Sequence, residues 1–153
     1  MPLQVRVTVS GDSSFLQRVG RVISTGDFSK PLKEIGDELV SYYSGQVFAS
    51  QGGVLGDPWA RLAPATMLYK SKHYTAYAAI PLIATGTMKN SFQPTVTSRQ
   101  LTIGNTAPYF MYHQSSAPRT KLPRRQMLGV NDDVKQIIKQ IITRDLNSKL
   151  GAL

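Results

Sequence analysis

The sequence predicts a single α+β domain over residues 1–153, with an N-terminal strand and helices, a central antiparallel β-hairpin or sheet, and a C-terminal amphipathic helix. Three patterns carry this prediction. Apolar residues alternate with polar ones at the start of the chain, as in a half-buried strand. In the rest of the first third and near the end they recur at three- and four-residue spacing, as in amphipathic helices. Between these regions lies a hairpin pattern.

The first third contains the strand and two helices. Leu3 to Val9 alternate apolar and polar residues, and Ser10-Gly11-Asp12 ends the strand. Apolar residues from Phe15 to Ile23 have helical spacing, with Asp12 or Ser13 available as a cap. A second helix is expected to begin near Ser29-Lys30-Pro31, because proline is tolerated in a first turn. Its apolar stripe consists of Leu32, Ile35, Leu39, Tyr42 or Tyr43, and Phe48.

The middle and the end of the chain contain the hairpin and the closing helix. Apolar residues alternate from Ser91 to Ile103 on both sides of a turn at 97–100. The segment 109–113 is compatible with a strand or a short helix. Asn131-Asp132-Asp133 is expected to cap the last helix. Exposed loops are predicted near 50–65 and 114–126, and a short helix is expected from Thr66.

Charge is unevenly distributed. Residues 1–50 have five basic and five acidic residues, whereas residues 51–153 have thirteen basic and four acidic ones and so hold the whole net charge of +9. This field attracts nucleic acid or an acidic protein surface. No apolar run approaches the roughly 20 residues that span a bilayer, so no membrane partner is expected. The absence of cysteine excludes disulfides and thiolate sites, and is compatible with folding in a reducing cytoplasm.

No catalytic constellation is apparent, and the sequence predicts neither an enzyme nor a cofactor or metal site. There is no phosphate-binding loop, no nucleophile elbow and no carboxylate pair in a cleft-like segment. His73 and His113 are forty residues apart. Tyr112 and His113 form a conceivable acid–base pair, but a histidine bonded within a packed segment is the favoured interpretation.

Two segments contain spaced motifs: Gly56–Thr66 reads Gly-x-x-Trp-x-x-Leu-x-x-x-Thr, and Leu82–Phe92 reads Leu-x-x-Thr-Gly-x-Met-x-x-Ser-Phe. In this order they resemble the signatures Gly-x-x-Trp-x-x-Leu-x-x-x-Thr and Leu-x-x-Thr-Gly-x-Leu-x-x-Ser-Ile of the phage virion morphogenesis, or tail-completion, family of Mu-like and related tailed phages. This chain has Ser115-Ser116-Ala117 where the family usually has Phe-Gly-Gly, and Met127 where it has Phe. The other matching pieces are Ile35-Gly36, Phe48, Ile103-Gly104, Pro108-Tyr109, His113-Gln114 and Pro123–Gly129.

The resemblance implies a non-enzymatic subunit of the phage neck that completes the tail and helps join it to the head. Such subunits form rings, with six copies as the expected number, around the path of the genomic DNA. The implied partners are further copies of the chain, head-closure proteins, and tail tube or sheath proteins. DNA would pass through the lumen without sequence-specific contacts. The implied location is the virion neck or tail, after assembly in the host cytoplasm.

Nine residues are candidates for interface or structural roles. Trp59 is either an interface anchor or a side chain that pins its loop to the core. Thr85 and Gly86 are expected to shape the turn that enters the hairpin. Tyr109 and His113 belong to the family pattern. Arg119, Lys121, Arg124 and Arg125 give the second loop its charge.

This basic loop has three possible roles: an acidic protein partner, DNA, or simple exposure to solvent. An acidic partner is favoured over specific DNA binding, because DNA that passes through a ring has to slide. The alternative function is a basic nucleic-acid-binding module, supported by the pI near 10.0 and by tyrosines able to stack on bases. These tyrosines are Tyr69, Tyr74, Tyr77, Tyr109 and Tyr112.

Overall fold

The structure, a computed structural model, describes residues 3–5, 13–117 and 121–151. It confirms the α+β class. The elements in chain order are β1 (Leu3–Val5), α1 (Ser13–Thr25), α2 (Ser29–Tyr42), a π-helical turn (Tyr43–Val47), a 3-10 turn (Gly53–Leu55), α3 (Pro64–His73), a 3-10 turn (Thr75–Tyr77), β2 (Phe92–Val96), β3 (Leu101–Asn105), α4 (Phe110–Gln114) and α5 (Asp132–Gly151).

One antiparallel sheet joins the start of the chain to the hairpin. Its strand order is β1-β3-β2, with Leu3 opposite Ile103 and Pro94 opposite the same residue on the other side. The hairpin turn closes as predicted, with Thr97 N donating to Gln100 O over 2.8 Å. The predicted first strand is confirmed over Leu3–Val5, and its remaining residues, 6–9, lie outside the described part of the chain.

The apolar stripe of α2 packs against β2, β3 and α5. Leu32, Ile35 and Leu39 are fully buried, as the spacing predicts. Both Tyr42 and Tyr43 are buried, where the sequence left a choice between them. The π-helical turn accounts for this, because a wider turn shifts the inward face by one residue. Val47 and Phe48 therefore remain on the buried side.

Gly36 allows α2 to approach the hairpin closely. A Cβ at this position would lie 2.8 Å from Pro94 Cβ and 3.1 Å from Leu101 Cδ1. Both neighbours belong to the sheet, and Leu101 is fully buried. The residue is thus fixed by packing between helix and sheet, since any side chain would separate the two layers.

The closing helix begins where the sequence predicts. Val134 N donates to Asn131 Oδ1 over 3.0 Å, the pattern of an N-cap, and Asp132 and Asp133 lie in the first turn. The Asn131 side-chain amide also donates to Val54 O and to the Tyr42 hydroxyl, each over 2.7 Å. These bonds join the start of α5 to the end of α2 and to the 3-10 turn Gly53–Leu55.

Two expectations are corrected and one open choice is decided. Segment 50–65 is not simply an exposed loop, because Gly52 and Trp59 are buried and a 3-10 turn lies between them. The short helix begins at Pro64 rather than Thr66, since proline suits a first helical position. Segment 109–113, for which the sequence left a strand or a short helix open, is largely helical, as α4.

Replacing Gly36 by alanine tests the helix–sheet contact. Gly36→Ala is expected to lower the free energy of unfolding by about 1–3 kcal/mol, because the new methyl group meets Pro94 and Leu101. Gly20→Ala is the matched control: it also lies inside a helix, but its Cβ would meet nothing within 4 Å. The control should gain up to about 1 kcal/mol from helix propensity. Urea denaturation of both variants gives the comparison, and equal effects would contradict the packing role.

Tyr43 makes stability sensitive to alkaline pH. Burial raises the pKa of its hydroxyl far above the ordinary value of 10.0, and the hydroxyl donates to Gly129 O over 2.7 Å. Above pH 10 the unfolded chain loses this proton and the folded chain keeps it, so stability falls as pH rises, by about 1 kcal/mol per pH unit. Tyr43→Phe should flatten this decline between pH 10 and 12. Tyr77→Phe, at an exposed site, should leave the slope of the wild type unchanged.

Candidate functional site

An irregular segment, Arg125–Gly129, passes through the interior beside α4. Met127 is fully buried and Leu128 nearly so. Side chains supply the hydrogen bonds that a neighbouring strand would otherwise give. Gln114 Oε1 accepts from Met127 N and Leu128 N at 2.9 and 3.0 Å, and its Nε2 donates to Leu128 O over 2.8 Å. The segment is therefore fixed mainly by one glutamine of α4.

Trp59 holds the same segment from the other side. Its side chain is 6% exposed, and Nε1 donates to Gln126 O over 2.7 Å. Its ring packs edge-on against Phe48, with centroids 5.1 Å apart. Gly52, at φ +83°, leaves room for the indole, since a Cβ there would collide with the ring. Of the two roles considered for Trp59, the structure supports the core one.

A cavity of about 540 Å³ opens beside this segment. Its wall is formed by α3, by the turn after Leu82, by α4 and by residues 121–125. It brings together five of the nine candidate residues predicted from the sequence: Thr85, Tyr109, His113, Lys121 and Arg125.

Two buried cations line the cavity. Lys70 is 7% exposed, and its ammonium group donates to Ile80 O and Ile83 O over 2.5 and 2.6 Å. Arg125 is 5% exposed and donates to Ala60 O and Arg61 O over 2.9 and 3.2 Å. Burial lowers the pKa of both groups, and the charge of Arg125 further lowers the pKa of Lys70. The wall of the cavity thus holds two positive charges that disfavour each other.

The burial of Arg125 corrects the prediction of a uniformly exposed basic loop. Its guanidinium ties this segment to residues 60–61, which explains why a charged side chain lies inside. Lys121 and Arg124 are exposed, and Arg124 Nε donates to Gln114 O over 3.2 Å. Arg119 lies outside the described residues.

The structure places Thr85 and Gly86 in a turn before the hairpin. The Thr85 and Thr87 hydroxyl oxygens are 2.7 Å apart, and Gly86 has φ +84°. Asn90 N donates to Gly86 O over 3.0 Å and closes the turn. Thr85 and Thr87 thus lie on the cavity wall beside a backbone position that favours glycine.

Sequence reasoning missed the most unusual feature of α3, which is that its only buried residue is Lys70. Met67, Leu68 and Tyr69 are exposed by 41%, 60% and 57%. These three apolar residues are consecutive, so they cannot form a single inward stripe at helical spacing. That pattern was a signal in the sequence that the helix does not pack by an apolar face.

The described part of the chain shows neither a metal-binding cluster nor a membrane-spanning helix. Residues 3–5, 13–117 and 121–151 contain no group of three or more histidine, aspartate or glutamate residues able to hold a metal ion. None of the helices within these ranges is both long and apolar enough to cross a membrane.

The chain matches the phage virion morphogenesis family over residues 11–147. It belongs to that family. As a member of this family, the protein has a structural or assembly role in the phage virion. No curated protein and no solved structure matches the chain.

The family match fits the arrangement of the buried segment. The pieces of sequence that resemble the family include Trp59, Gln114 and the segment 123–129, and these contact one another through the hydrogen bonds of Trp59 and Gln114. Trp59, Gln114 and Met127 are buried in the interior, and Pro123 and Arg125 of the same segment line the cavity.

Truncating Trp59 tests its role as a core residue. Trp59→Ala is expected to lower the free energy of unfolding by about 3–5 kcal/mol, because it leaves a cavity beside Phe48 and removes the bond to Gln126. Tyr77→Ala removes an aromatic ring from an exposed site and should change stability by less than about 1 kcal/mol. Thermal and urea denaturation of both variants checks this. A Trp59→Ala variant as stable as the wild type would contradict the burial.

Proposed function

We propose that the protein is a structural subunit of the phage neck, which completes the tail and joins it to the head as a closed ring around the DNA path. The exposed apolar surface of α3 is the observation that carries this proposal. We expect six copies in the ring, in keeping with the symmetry of phage tails that the family resemblance implies. Head-closure proteins on one side and tail tube or sheath proteins on the other are the proposed neighbours.

Helix α3 makes few contacts with the other helices and strands of the described residues. It contacts mainly the 3-10 turn that follows it, and Lys70 alone is buried. Isolated helices of this length are unstable in water, and most helices are stabilised by burying an apolar face. Met67, Leu68 and Tyr69 are therefore well suited to burial against another copy of the chain.

Charge favours a head-to-tail contact between copies. Helix α3 contains Lys70, Lys72 and His73 and no acidic residue, so two α3 helices facing each other across a twofold axis would repel. An acidic surface is available on α2, where Glu34, Asp37 and Glu38 are exposed. Contact between α3 of one copy and α2 of the next is heterologous, and such contacts form closed rings when the rotation closes.

The acidic side chains of α2 are free to change partners. Asp37 pairs with Lys33 over 2.9 Å and Glu34 with Arg144 over 2.5 Å, and the four side chains are between 45% and 71% exposed. Exposed pairs of this kind contribute little, about 0–1 kcal/mol each. Exchanging them for contacts with a basic helix therefore costs little.

A basic nucleic-acid-binding module is the second candidate, favoured by the exposure of Tyr69, Tyr77, Tyr109 and Tyr112 in a protein of pI near 10.0. Two features argue against nucleic-acid binding. The Tyr69 ring packs on His73, with centroids 4.4 Å apart, and Arg125 is buried. For a neck subunit, DNA affinity should stay at the non-specific level, about 10⁻⁴–10⁻⁶ M near physiological salt.

Polar substitutions on α3 test the ring. The double variant Met67→Gln and Leu68→Gln should fold normally, with stability within about 0.5 kcal/mol of the wild type, because both side chains are exposed. It should fail to form rings in concentrated solution or on tail tubes, and heads and tails should then fail to join. Sedimentation velocity, negative-stain microscopy and an in vitro joining assay measure these outcomes.

Val130→Gln is the control, because Val130 is 55% exposed and lies outside α3. It should assemble like the wild type. Normal assembly of the α3 double variant would remove the main support for the ring, and submicromolar, sequence-selective DNA binding by the wild type would favour the second candidate.

A further inference from the structure

The cavity contains buried positive charge, and no counterion for it lies among the described residues. Lys70 and Arg125 both line it, and none of its described lining residues is an aspartate or glutamate. Within residues 3–5, 13–117 and 121–151, neither cation takes part in an ion pair. Buried charges are ordinarily paired or bound to a ligand, because their removal from water costs much free energy.

The carbonyl groups that hold the two cations orient them without neutralising them. Two of the three N–H groups of Lys70 donate to Ile80 O and Ile83 O, and the third has no acceptor among the described residues. Arg125 uses Nε and Nη2, and its Nη1 donates to none of the described atoms. Donors therefore remain on both cations, next to a cavity that an anionic group can enter.

The rim and the walls indicate what kind of anion fits. Arg61 and Lys121 are exposed lining residues and add two further positive charges where the cavity meets solvent. Leu62, Leu82 and Leu122 make part of the wall apolar. The volume of about 540 Å³ lies within the roughly 300–1,000 Å³ of pockets that enclose a ligand.

We propose that this cavity binds an extended acidic peptide segment of a partner protein, with a carboxylate against Lys70 and Arg125 and an apolar side chain against the leucines. The inference rests on the proposed function, which supplies neighbouring virion proteins as the source of such a segment. Duplex DNA fits less well, because its phosphates lie on a broad convex surface, whereas both cations are recessed and at least 93% buried. The sugar and phosphate groups of DNA would also make no apolar contact with the three leucines of the wall.

Titration calorimetry with a capped hexapeptide, acetyl-Leu-Glu-Glu-Leu-Glu-Glu-amide, tests the cavity. Its glutamine counterpart, inorganic phosphate and a short DNA duplex are the comparison ligands. The acidic peptide should bind the wild type at least tenfold more tightly than any of the three. Lys70→Gln should abolish binding, and circular dichroism shows whether this variant remains folded.

A rim variant keeps the test independent of the buried residues. Arg61→Gln with Lys121→Gln removes two exposed charges from the cavity and should weaken peptide binding about tenfold. Lys72→Gln with Lys139→Gln removes two exposed charges that do not line it, so the net charge matches and binding should be unchanged. Equal weakening in both variants would attribute binding to the general field of the protein and overturn the proposal.

The remaining outcomes are also decisive. Failure of the acidic peptide to bind, or phosphate binding as tight as that of the peptide, would overturn the peptide site. If the DNA duplex binds more tightly than the acidic peptide, and the rim variant weakens that binding, the cavity is a nucleic-acid site instead. An assay of head–tail joining separates this inference from the proposed function. If heads and tails still join when the rim variant replaces the wild type, only the peptide site in the cavity is refuted. If heads and tails join without the protein, the proposed role in the neck is refuted.

Discussion

The fold depends on how the protein satisfies the backbone of one buried, irregular segment. Among the described residues no strand pairs with residues 125–129, yet Met127 and Leu128 lie in the core. An unpaired buried N–H or C=O group costs about as much as a lost hydrogen bond, so each needs a partner. Gln114 supplies three bonds and Trp59 one. Helix α4 and the chain around Trp59 are consequently fixed in position relative to each other.

Local patterns were sufficient to predict the regular elements. The stripe of α2, the hairpin turn at 97–100 and the Asn131 cap depend on residues close in sequence, and the structure contains all three. The π-helical turn was not predictable in this way, because periodicity could not decide between Tyr42 and Tyr43. The pairing of β1 with β3 joins residues about a hundred positions apart, and no local signal specifies it.

The site was harder to predict than the fold. Thr85, Tyr109, His113, Lys121 and Arg125 were selected separately, and the structure places all five around one cavity. Lys70 was missed, and Arg125 was expected to be exposed. Both errors have the same physical cause: a basic side chain is ordinarily solvated, and only distant carbonyl groups, such as Ile83 O and Ala60 O, make burial possible here. Lys70 also places the cavity and the exposed face of α3 on the same helix.

The position of Pro94 limits how copies of this protein can associate. Strand β2 forms one edge of the sheet, and proline has no N–H group to offer a strand from a neighbouring molecule. Strand addition at this edge would therefore lack a main-chain hydrogen bond near its centre. For the proposed ring, contacts between copies are therefore expected on side chains of the helices rather than at the β2 edge, and such contacts separate and re-form without unravelling the sheet. A particle assembled from parts made separately benefits from joints of that kind, since a misplaced subunit can leave again before the structure closes.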